Sequence, residues 1–579
     1  MRLPVSVLVF IGCLAGTLTP ALAGDRFVSV AFHDVVDFRG NLDDDAVTVD
    51  RLIGFFEWLR ANHWTAISLG DVEAARLGKR PLPEHAILIT FDDGYRSLYT
   101  RVFPLILAFN IPVVSALVGA WVDAPMNATV HYGDHDVPRA NFVSWEEAEE
   151  MAHSGLVEFA SHSYDLHRAV RANPQGNELA AAWARIYRPG RGYESADEFR
   201  QRITADLARS SELLTDRLDQ RPRAIVWPFG RYNATDIEVA RATGFTFALT
   251  LDPEPSDVAK PMALSRYLPT NDPKLDEVVS NLLFEDPLPA ARRLVALDPA
   301  TLWTGDDASM NERLGHAIER LRTLGATGIV LDAAIIGADG RLAATWFPTG
   351  QLPVRADILS RLSWQCQSRA GVAAFVRLPA GAALRTLGDP AKVRALFDDL
   401  GAYVPVSGVF VDDAPGLARL GDGARSSGTP WDVRAARNAA MGRSVNGPEA
   451  LALSAFRMVE SERPSVQLVV VGDSEPPRSP GAIADLTLVP VAPNPHAVAC
   501  LTERLTAFGW LRPPLARRGG LWFACNQPPA ARDLVAATRV FQIHGGTAIG
   551  WASDDPVRDR PKAKIAGPTV SASTFPVKF

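Results

Sequence analysis

Short apolar runs alternate with amphipathic stretches through the first half of the chain. Apolar residues at three- and four-residue spacing predict one helix that begins after Thr48 and a longer one over 199–218 that ends before Pro222. Six apolar runs have the length of buried strands, namely 27–32, 87–91, 111–118, 156–160, 224–227 and 245–251. Strands that alternate with helices predict an α/β fold built on a parallel sheet or barrel.

The second half of the chain repeats this alternation with different residues. Helices are predicted over 311–323 and 357–369. Strands are predicted at 328–331, 372–376, 409–411, 467–471, 486–489, 521–523 and 547–549. This set suits a second (β/α) barrel, and the segment Asp-Pro-Leu-Pro at 286–289 is the expected boundary. We therefore expect one domain over 24–280 and another over 290–579.

The first 23 residues have the organisation of an export signal. Arg2 precedes an apolar stretch over 3–18, and the small residues Ala21 and Ala23 form a cleavage site. The stretch is shorter than the roughly 20 residues of a bilayer span, which disfavours a membrane anchor. The apolar region before Cys13 is too short for an ordinary lipoprotein signal, so no lipid anchor is expected there. We predict a cleaved signal peptide over 1–23, export into an oxidising compartment, and no membrane span in the mature chain.

Composition and charge say more about the binding partners of this protein than about its fold. Of the 579 residues, 47% are hydrophobic and 22% are charged, which supplies large cores and excludes a disordered chain. The net charge of −7 disfavours binding to nucleic acid or to an anionic membrane and favours a neutral or cationic partner. Beyond the signal, Cys366, Cys500 and Cys525 lack zinc-finger spacing. A disulfide between Cys500 and Cys525 and three free thiols both remain open.

Four predicted strands end in residues that can do chemistry. His33 follows the first run, Asp92 and Asp93 follow the second, His162 follows the fourth, and Trp-Pro-Phe-Gly occupies 227–230 at the end of the fifth. Ligands bind at the carboxyl ends of the strands in parallel sheets and barrels. The shared position at strand ends predicts one site that combines these residues.

His162 and His167 are the candidate metal ligands. Five residues apart, they would be separated by about 140° on a helix and would lie on opposite faces of a strand. A curled loop at a strand end can bring both imidazoles together, and one carboxylate then completes a site for a divalent metal ion (Zn, Fe, Co or Ni). The alternative is a pair of surface histidines near a turn.

The adjacent carboxylates of Asp92 and Asp93 can divide two roles. Where the chain curls after a strand, one carboxylate can bind metal while its neighbour acts as a general base. Gly94 allows the sharp turn that this requires. Asp-Asp-Gly is also common in solvated turns, but the buried run at 87–91 that precedes it favours a functional site.

These segments carry a family resemblance. TFDDG at 90–94 and HSYDLH at 162–167 resemble the metal-site motifs of the polysaccharide deacetylase superfamily. FHDV at 32–35, YTRVFP at 99–104 and VWPFG at 226–230 resemble one branch, the periplasmic poly-β-1,6-N-acetyl-D-glucosamine N-deacetylases of biofilm export systems. The resemblance covers roughly 25–275 and continues more weakly beyond. It implies a periplasmic enzyme whose substrate is an acetamido-sugar polysaccharide, and a polysaccharide export complex is a candidate partner.

The resemblance also implies a role for each site residue. Asp93, His162 and His167 would bind the metal ion, Asp92 would be the general base, and His33 would be the general acid that protonates the leaving amine. The residues implied in substrate binding are Tyr95, Trp227, Pro228, Phe229 and Tyr232. The first domain would be a deformed, permuted deacetylase barrel that releases acetate and free amines. A deacetylase of peptidoglycan or a chitin-like polymer and a non-catalytic carbohydrate-binding protein are the alternatives.

The second half resembles the glycoside-hydrolase-like domain of the same branch. Asp412 and Asp413 match paired aspartates of that domain, which implies a TIM-like glycosidase-type barrel. The sequence departs from the branch over 416–423, where a further acidic cluster is expected, and over 377–381, where aromatic residues are expected. Most glycosidases need two suitably spaced carboxyl groups, and only Asp422 could supply a distant second one. We expect a degenerate, carbohydrate-binding or scaffold domain.

Overall fold

The structure is a computed structural model. It describes residues 25–41, 45–133, 135–284, 291–420, 430–441, 447–478, 480, 483–512, 518–523 and 531–551. The predicted signal peptide with Cys13, the boundary segment 286–289, Asp422 and Cys525 lie outside these ranges.

The first domain alternates strands and helices as expected, with short hairpins added between them. Its strands are β1 (Arg26–Phe32), β2 (Val35–Val36), β3 (Val47–Thr48), β4 (Thr65–Ala66), β5 (Ala86–Phe91), β6 (Val113–Leu117), β7 (Thr129–Tyr132), β8 (His135–Pro138), β9 (Val157–Ser161), β10 (Ala169–Arg171), β11 (Glu178–Ala180), β12 (Tyr187–Arg188), β13 (Gly192–Tyr193), β14 (Ala224–Val226), β15 (Phe247–Thr250), β16 (Ser256–Asp257) and β17 (Leu264–Ser265). Its α-helices are α1 (Val49–Ala61), α2 (Leu69–Arg76), α3 (Phe103–Phe109), α4 (Gly119–Val122), α5 (Trp145–His153), α6 (Ala196–Leu218), α7 (Ala234–Thr243) and α8 (Leu275–Leu282).

One sheet forms the centre of this domain. Within the described residues it has nine strands in the order β16-β1-β5-β6-β9-β14-β15-β17, with β4 added to β5. All neighbours pair in parallel except β16, which runs antiparallel to β1. Beyond β17, the Tyr267 amide donates to the Ser29 carbonyl, and the Ala31 amide donates to the Tyr267 carbonyl, both at 2.8 Å. The two edges therefore meet, which confirms the predicted deformed barrel.

Strand β5 is buried on both faces. Ile87, Ile89 and Phe91 pack in the outer layer with α1, and Leu88 joins the cluster on the opposite face. A strand covered on both sides needs apolar residues at every position, which explains the continuous apolar run. The carboxylates that follow the run consequently emerge at the carboxyl edge of the barrel.

The second domain begins with a strand that the apolar pattern did not predict. Its strands are β18 (Arg292–Leu297), β19 (Gly328–Asp332), β20 (Ala334–Ile336), β21 (Leu342–Thr345), β22 (Ala373–Arg377), β23 (Gly408–Val411), β24 (Gln467–Val471), β25 (Leu486–Val491), β26 (Gly519–Phe523) and β27 (Ala548–Trp551). Its α-helices are α9 (Asp307–Leu324), α10 (Leu359–Ala370), α11 (Ala380–Leu387), α12 (Pro390–Tyr403), α13 (Pro430–Met441), α14 (Gly447–Glu462), α15 (Pro495–Ala507) and α16 (Ala531–Gln542).

Eight of these strands close into a parallel barrel. Their order is β18-β19-β22-β23-β24-β25-β26-β27, and β27 pairs with β18 in parallel to complete the ring. The predicted TIM-like architecture is therefore confirmed. Strand β18 starts with Arg292 and Arg293, so its apolar part is only four residues long. This shortness explains why the hydrophobic pattern did not predict it.

The two domains pack along α10 and against the segment 463–466 that joins α14 to β24. The Trp183 indole nitrogen donates to the Glu462 carbonyl at 3.1 Å, and the guanidinium carbon of Arg463 lies 3.7 Å from the centre of the Trp183 ring. The Tyr193 hydroxyl donates to Oδ2 of Asp357 at 2.6 Å. Both tryptophan and tyrosine come from the first domain, so their side chains link it to the barrel.

Two further expectations concern cysteines and the membrane. Cys366 is buried and Cys500 is exposed, and neither forms a disulfide with a described residue. Because Cys525 lies outside the described residues, the Cys500–Cys525 disulfide and the three free thiols both stay as alternatives. Among the helices of the described segments, none combines the length and apolar character needed to cross a membrane.

Candidate active site

The carboxyl edge of the first barrel gathers the residues expected at strand ends. His33 follows β1, Asp92 and Asp93 follow β5, and His162 follows β9. The Asp92 amide donates to the Phe32 carbonyl at 2.8 Å, which places the aspartate pair directly beside His33. Parallel pairing therefore brings together residues that are up to 134 positions apart in the sequence, from His33 to His167.

Asp93, His162 and His167 form a compact cluster of metal-type ligands. Oδ1 of Asp93 lies 3.2 Å from Nε2 of each histidine, and the candidate ligand atoms all lie within 4.8 Å of one another. All three residues are buried, and Asp93 has no exposed surface. Nδ1 of His162 donates to the Val226 carbonyl at 2.7 Å, which fixes the ring so that Nε2 faces Asp93.

This cluster fits a divalent cation. Oδ1 of Asp93 is buried and accepts no hydrogen bond from the described residues. A buried carboxylate oxygen without a partner is costly, and a cation held also by two neutral imidazoles compensates it. Burial disfavours the charged carboxyl group, but the two histidines and His33 hold the pKa of Asp93 well below its usual range. The residues thus support a divalent metal site.

Unusual backbone conformations aim these side chains. Asp93 has φ +70° and Ser163 has φ +68°, both in the left-handed region that non-glycine residues rarely adopt. Gly94 follows with φ +77°, and a Cβ there would lie 2.6 Å from Cδ2 of Leu117. The turn after β5 therefore requires glycine at 94 both for its backbone angle and for space.

Helix α6 holds the loop that carries the two histidines. The Asp206 carboxylate accepts hydrogen bonds from the amides of Tyr164 and Asp165, each at 2.8 Å. Within the loop, the Ser163 hydroxyl accepts from the Leu166 amide at 3.0 Å. These contacts keep the loop curled, which is the conformation that lets both imidazoles face one point.

Asp92 is paired with a buried arginine. Nη1 of Arg266 donates to Oδ1 and Oδ2 of Asp92 at 2.7 and 2.9 Å, and to the hydroxyl of Thr90 at 2.8 Å. Burial raises the pKa of Asp92, but the Arg266 charge, aided by the nearby histidines, brings the pKa below its ordinary value. Asp92 is therefore an ionised carboxylate beside the metal-type cluster, able to accept a proton.

His33 faces the same cluster of carboxylates. Burial favours neutral imidazole, but Asp93, Asp45 and Asp92 outweigh it and raise the pKa of His33. Its Nδ1 is buried and has no hydrogen-bond partner among the described residues. An imidazole whose charged form is favoured in this way can serve as a proton donor.

The residues expected to bind substrate occupy different depths. The ring of Phe229, which is half-buried with φ +58°, lies 4.3 Å from that of His167. Tyr95 is half-buried and packs on the aromatic residues beside the cluster. Pro228 and Trp227 are buried, Trp227 without any exposed surface, and Tyr232 is only 7% exposed.

Trp227 and Tyr232 therefore support the loop from beneath. Their rings are nearly parallel with centres 6.3 Å apart, and the Tyr232 hydroxyl donates to Oδ2 of Asp252 at 2.6 Å. Of the five residues, Phe229 and Tyr95 are the ones with surface next to the cluster. Contact of any of them with a sugar stays a prediction.

Sequence reasoning did not identify Arg266, Asp206 or Tyr132 as parts of this site. Arg266 follows β17, so the rule that polar residues cluster at strand ends would have found it, but β17 is only two residues long. Asp206 lies in the middle of a predicted helix, where a carboxylate is ordinary. Tyr132 lies on a hairpin far from any predicted strand end, and nothing in the sequence connects it with the site.

The carboxyl edge of the second barrel has a different arrangement. Arg377, at the end of β22, forms a two-pronged ion pair with Asp332 through Nε and Nη2, the latter at 2.9 Å, and its Nη1 lies 3.3 Å from Oδ2 of Asp412. Asp413 accepts a hydrogen bond from the Gly381 amide at 2.7 Å. Burial raises the pKa of Asp412, and Arg377 opposes that rise. A guanidinium group therefore occupies the space between the carboxylates of Asp332 and Asp412.

A segment in each half of the chain matches a known family model. Residues 79–248 match the polysaccharide deacetylase family model, and residues 295–382 match the model described as hypothetical glycosyl hydrolase family 13. The chain therefore carries a polysaccharide deacetylase domain followed by a glycosyl-hydrolase-like domain. The first match contains Asp92, Asp93 and both histidines of the cluster.

Individual proteins are also similar to parts of this chain. The chain is 34% identical over 356 residues to a poly-beta-1,6-N-acetyl-D-glucosamine N-deacetylase of Escherichia coli (strain K12), which covers 61% of this chain and 53% of the relative. It thus spans about half the length of that relative. Among solved structures it is similar to a de-N-acetylase from Aggregatibacter actinomycetemcomitans (34% identity, 44% of this chain, 100% of that chain, TM-score 0.43). Another is the deacetylase domain of BpsB from Bordetella bronchiseptica (41% identity, 42% of this chain, 95% of that chain, TM-score 0.39).

Proposed function

We propose that the first domain is a metal-dependent hydrolase that removes acetyl groups from exported poly-β-1,6-N-acetyl-D-glucosamine. The observation that carries this proposal is the convergence of two carboxylates and three histidines at one barrel edge. Asp93, His162 and His167 would hold the ion, Asp92 and His33 would transfer protons, and the E. coli relative's name supplies the substrate. The products are acetate and a free amine on the polymer.

The metal ion would supply Lewis acidity when bound: it polarises the acetyl carbonyl and favours ionisation of water. Its ligands in this chain would be two imidazole nitrogens and one carboxylate oxygen, a set that suits Zn, Fe, Co or Ni. Phe229 and the other aromatic residues around His167 limit access of bulk water to the ligands.

Asp92 is the general base in this mechanism. It takes a proton from the attacking water as the water oxygen bonds to the acetyl carbon. Arg266 holds both oxygens of the carboxylate, which fixes its orientation and keeps it ionised before the reaction. This addition opens the carbonyl double bond, and the double bond re-forms when the C–N bond breaks.

His33 is the general acid. It donates a proton to the leaving nitrogen, so that the sugar departs as an amine and the acetyl group as acetate. Its raised pKa keeps the proton available until the C–N bond breaks. One water molecule is consumed in each cycle, and proton exchange with solvent restores His33 and Asp92.

The test combines metal analysis with acetate release from β-1,6-linked N-acetylglucosamine oligomers. Asp93→Ala is expected to lose bound metal, whereas Asp92→Asn is expected to keep metal and to lose about 10²-fold or more of the turnover. If metal-loaded wild-type protein releases no acetate from any acetamido sugar, the enzyme proposal is wrong. Preferential release from β-1,4-linked chitin oligomers or from peptidoglycan would instead support the alternative substrates.

The proposed compartment is the periplasm, after cleavage of the signal peptide over 1–23. Signal-like residues at the start of the chain and the resemblance of its motifs to periplasmic deacetylases support this location, and a polysaccharide export complex would then be the partner. Cell fractionation with sequencing of the mature terminus tests it. A mature chain that begins at Gly24 in the periplasmic fraction is the expected result, and retention of Met1 in the cytoplasm would contradict it.

For the second domain we propose glycan binding or a scaffold role without chain cleavage. Arg377 supports this proposal because its guanidinium group pairs with both Asp332 and Asp412, so two of the carboxylates at the barrel edge are held in ion pairs. Most glycosidases need two carboxyl groups that flank the scissile bond and are free to act on it. Incubation with partly de-N-acetylated polymer is expected to leave chain length unchanged. Endo-cleavage that is abolished by Asp413→Ala would overturn the proposal.

A further inference from the structure

Tyr132 lies beside the metal-type cluster although it belongs to a separate hairpin. Strands β7 and β8 pair antiparallel, with Tyr132 opposite His135 at the end next to the turn. The hairpin is not part of the central sheet. It lies across the carboxyl edge of the barrel, and Tyr132 is its contact with Asp93.

The tyrosine hydroxyl binds the carboxylate oxygen that faces away from the histidines. It is the donor to two carboxylate oxygens, Oδ2 of Asp93 and Oδ2 of Asp45, each at 2.9 Å, and these two oxygens share its single proton. Oδ1 of Asp93 meanwhile faces both Nε2 atoms at 3.2 Å. The two oxygens of Asp93 therefore differ: Oδ2 is bound by the hydroxyl, and Oδ1 is left for a cation.

The ring of Tyr132 is itself held in place by its neighbours. It lies nearly parallel to the His167 ring, with centres 6.2 Å apart and planes inclined by 20°. Trp121 packs against both, at 5.2 Å from Tyr132 and 4.8 Å from His167. Tyr132 thus contacts two of the three candidate ligands, one through its hydroxyl and the other through its ring.

Such a contact has a consequence for metal affinity. A carboxylate ligand rotates freely unless a second group fixes its other oxygen, and loss of a fixing group commonly weakens metal binding about 10- to 100-fold. Fixation matters at Asp93 because its backbone is in the left-handed region and because the Tyr132 hydroxyl is the hydrogen-bond donor that contacts its Oδ2.

We propose that Tyr132 is a positioning residue that sets the affinity of this site for a divalent metal ion. By donating to Oδ2 of Asp93 it keeps Oδ1 directed at the histidines, and by packing on His167 it keeps that imidazole facing the same point. Because the role serves the metal centre of the proposed deacetylase, it rests on the proposed function.

The test is Tyr132→Phe in the full chain, which removes the hydroxyl and keeps the ring. Zn²⁺ affinity is measured by competition with a chromogenic chelator, without substrate. We expect binding about 10- to 100-fold weaker than in wild type. Tyr99→Phe is the matched control, because its hydroxyl donates to Glu150 at 2.7 Å on the surface. The control is expected to bind Zn²⁺ as wild type does.

Two additional measurements separate positioning from general damage. The visible absorption of the Co²⁺-loaded protein reports ligand geometry, and it should change in Tyr132→Phe but not in Tyr99→Phe. Acetate release by Tyr132→Phe should recover as Zn²⁺ is raised, which a misfolded site would not allow. Unchanged Zn²⁺ affinity together with an unchanged Co²⁺ spectrum would overturn the proposal.

A second pair of variants covers the case in which Tyr132→Phe does not fold. The two variants are Tyr132→Gln and Tyr132→Leu, whose new side chains are similar in size. Only glutamine can donate a hydrogen bond to Asp93, so Tyr132→Gln should bind Zn²⁺ more tightly than Tyr132→Leu. Equal affinities would count against the proposal. Since affinity is measured without substrate, wild-type protein that binds Zn²⁺ but releases no acetate contradicts the proposed function alone.

Discussion

At the scale of single residues, the site depends on backbone conformations that side chains normally avoid. Asp93, Ser163 and Phe229 all have positive φ, and each lies in a loop that follows a barrel strand. Such conformations cost of order 1–3 kcal/mol each and persist where the surroundings determine them. Here the surroundings are the hydrogen bonds that bind the loops and the close packing beside Gly94. Of these residues, Asp93 belongs to the metal-type cluster, Phe229 packs on His167, and Ser163 holds the loop between the two histidines.

The ion pair between Asp92 and Arg266 supports one prediction at this scale. Arg266→Met leaves Asp92 buried without its cation, and removal of one partner of a buried pair typically costs about 3–5 kcal/mol. We expect a lower melting temperature and loss of acetate release. Differential scanning calorimetry measures the first, and the transition of the first domain should shift most.

A double-mutant cycle provides the control for this pair. When Asp92 is already Asn, the Arg266→Met substitution leaves no buried charge without a partner. It should therefore lower the melting temperature much less than it does in wild type. Equal decreases in both backgrounds would mean that Arg266 stabilises the fold through Thr90 or packing and not through Asp92.

At the scale of elements, α6 does more than cover the barrel. Its amino terminus is closed by a capping box, in which the Ser195 hydroxyl accepts from the Glu198 amide and the Glu198 carboxylate accepts from the Ser195 amide. Three turns along the helix, the Asp206 carboxylate accepts hydrogen bonds from two amides of the loop that carries the two histidines. Burial raises the pKa of Asp206 to about 6, against the effect of the two amides. The capped helix therefore holds Asp206 in place, and Asp206 in turn keeps the histidine loop curled.

This connection predicts the effect of Asp206→Asn. An amide side chain offers one acceptor oxygen where the carboxylate offers two, so one of the two loop amides loses its partner. The loop should relax and Zn²⁺ affinity should fall about 10-fold. Chelator competition measures the change, and Asp216→Asn on the exposed side of the same helix is the control. Equal affinity in both variants would show that the loop keeps its curvature without Asp206.

At the scale of the whole molecule, the two barrels share a contact surface that includes a titratable group. Asp357 precedes α10 and accepts the hydroxyl of Tyr193 from the first domain. Burial raises the pKa of Asp357 to about 6, and the Tyr193 hydrogen bond opposes that rise. The folded protein therefore binds a proton more tightly than the unfolded chain does. The stabilisation is fully present below pH 4 or so and is lost as pH rises through about 6.

Asp357→Asn tests this linkage. The amide oxygen can still accept from Tyr193, and the variant carries no charge at any pH. We expect the difference in melting temperature, Asp357→Asn minus wild type, to be more positive at about pH 7.5 than at about pH 4.5. Asp389→Asn, at the exposed amino-terminal cap of α12, is the control because the same substitution is made at a carboxylate that accepts from the Ala391 amide and not from Tyr193. A constant difference between Asp357→Asn and wild type would contradict the raised pKa.

The extent of sequence-based prediction differs between core and site. Strand β5 is predictable because burial on both faces demands a continuous apolar run, and β9 is predictable because four of the five residues over 156–160 are apolar. The polar residues that end those runs therefore revealed Asp92, Asp93 and His162. Strand β17 is two residues long and β18 begins with two arginines, so neither produces such a run. With β17 unpredicted, Arg266 could not be connected with Asp92.

The sequence by itself determined the alternation of elements, the family resemblance and which residue types end the strands, because these follow from local periodicity and from short motifs. Only the tertiary structure decided which oxygen of Asp93 is left for a cation, that Arg266 and Tyr132 accompany the aspartates, and that Arg377 lies between the carboxylates of the second barrel. Those facts depend on contacts between elements distant in the chain. Closure of each barrel brings such elements together, and no local pattern records which side chains then meet.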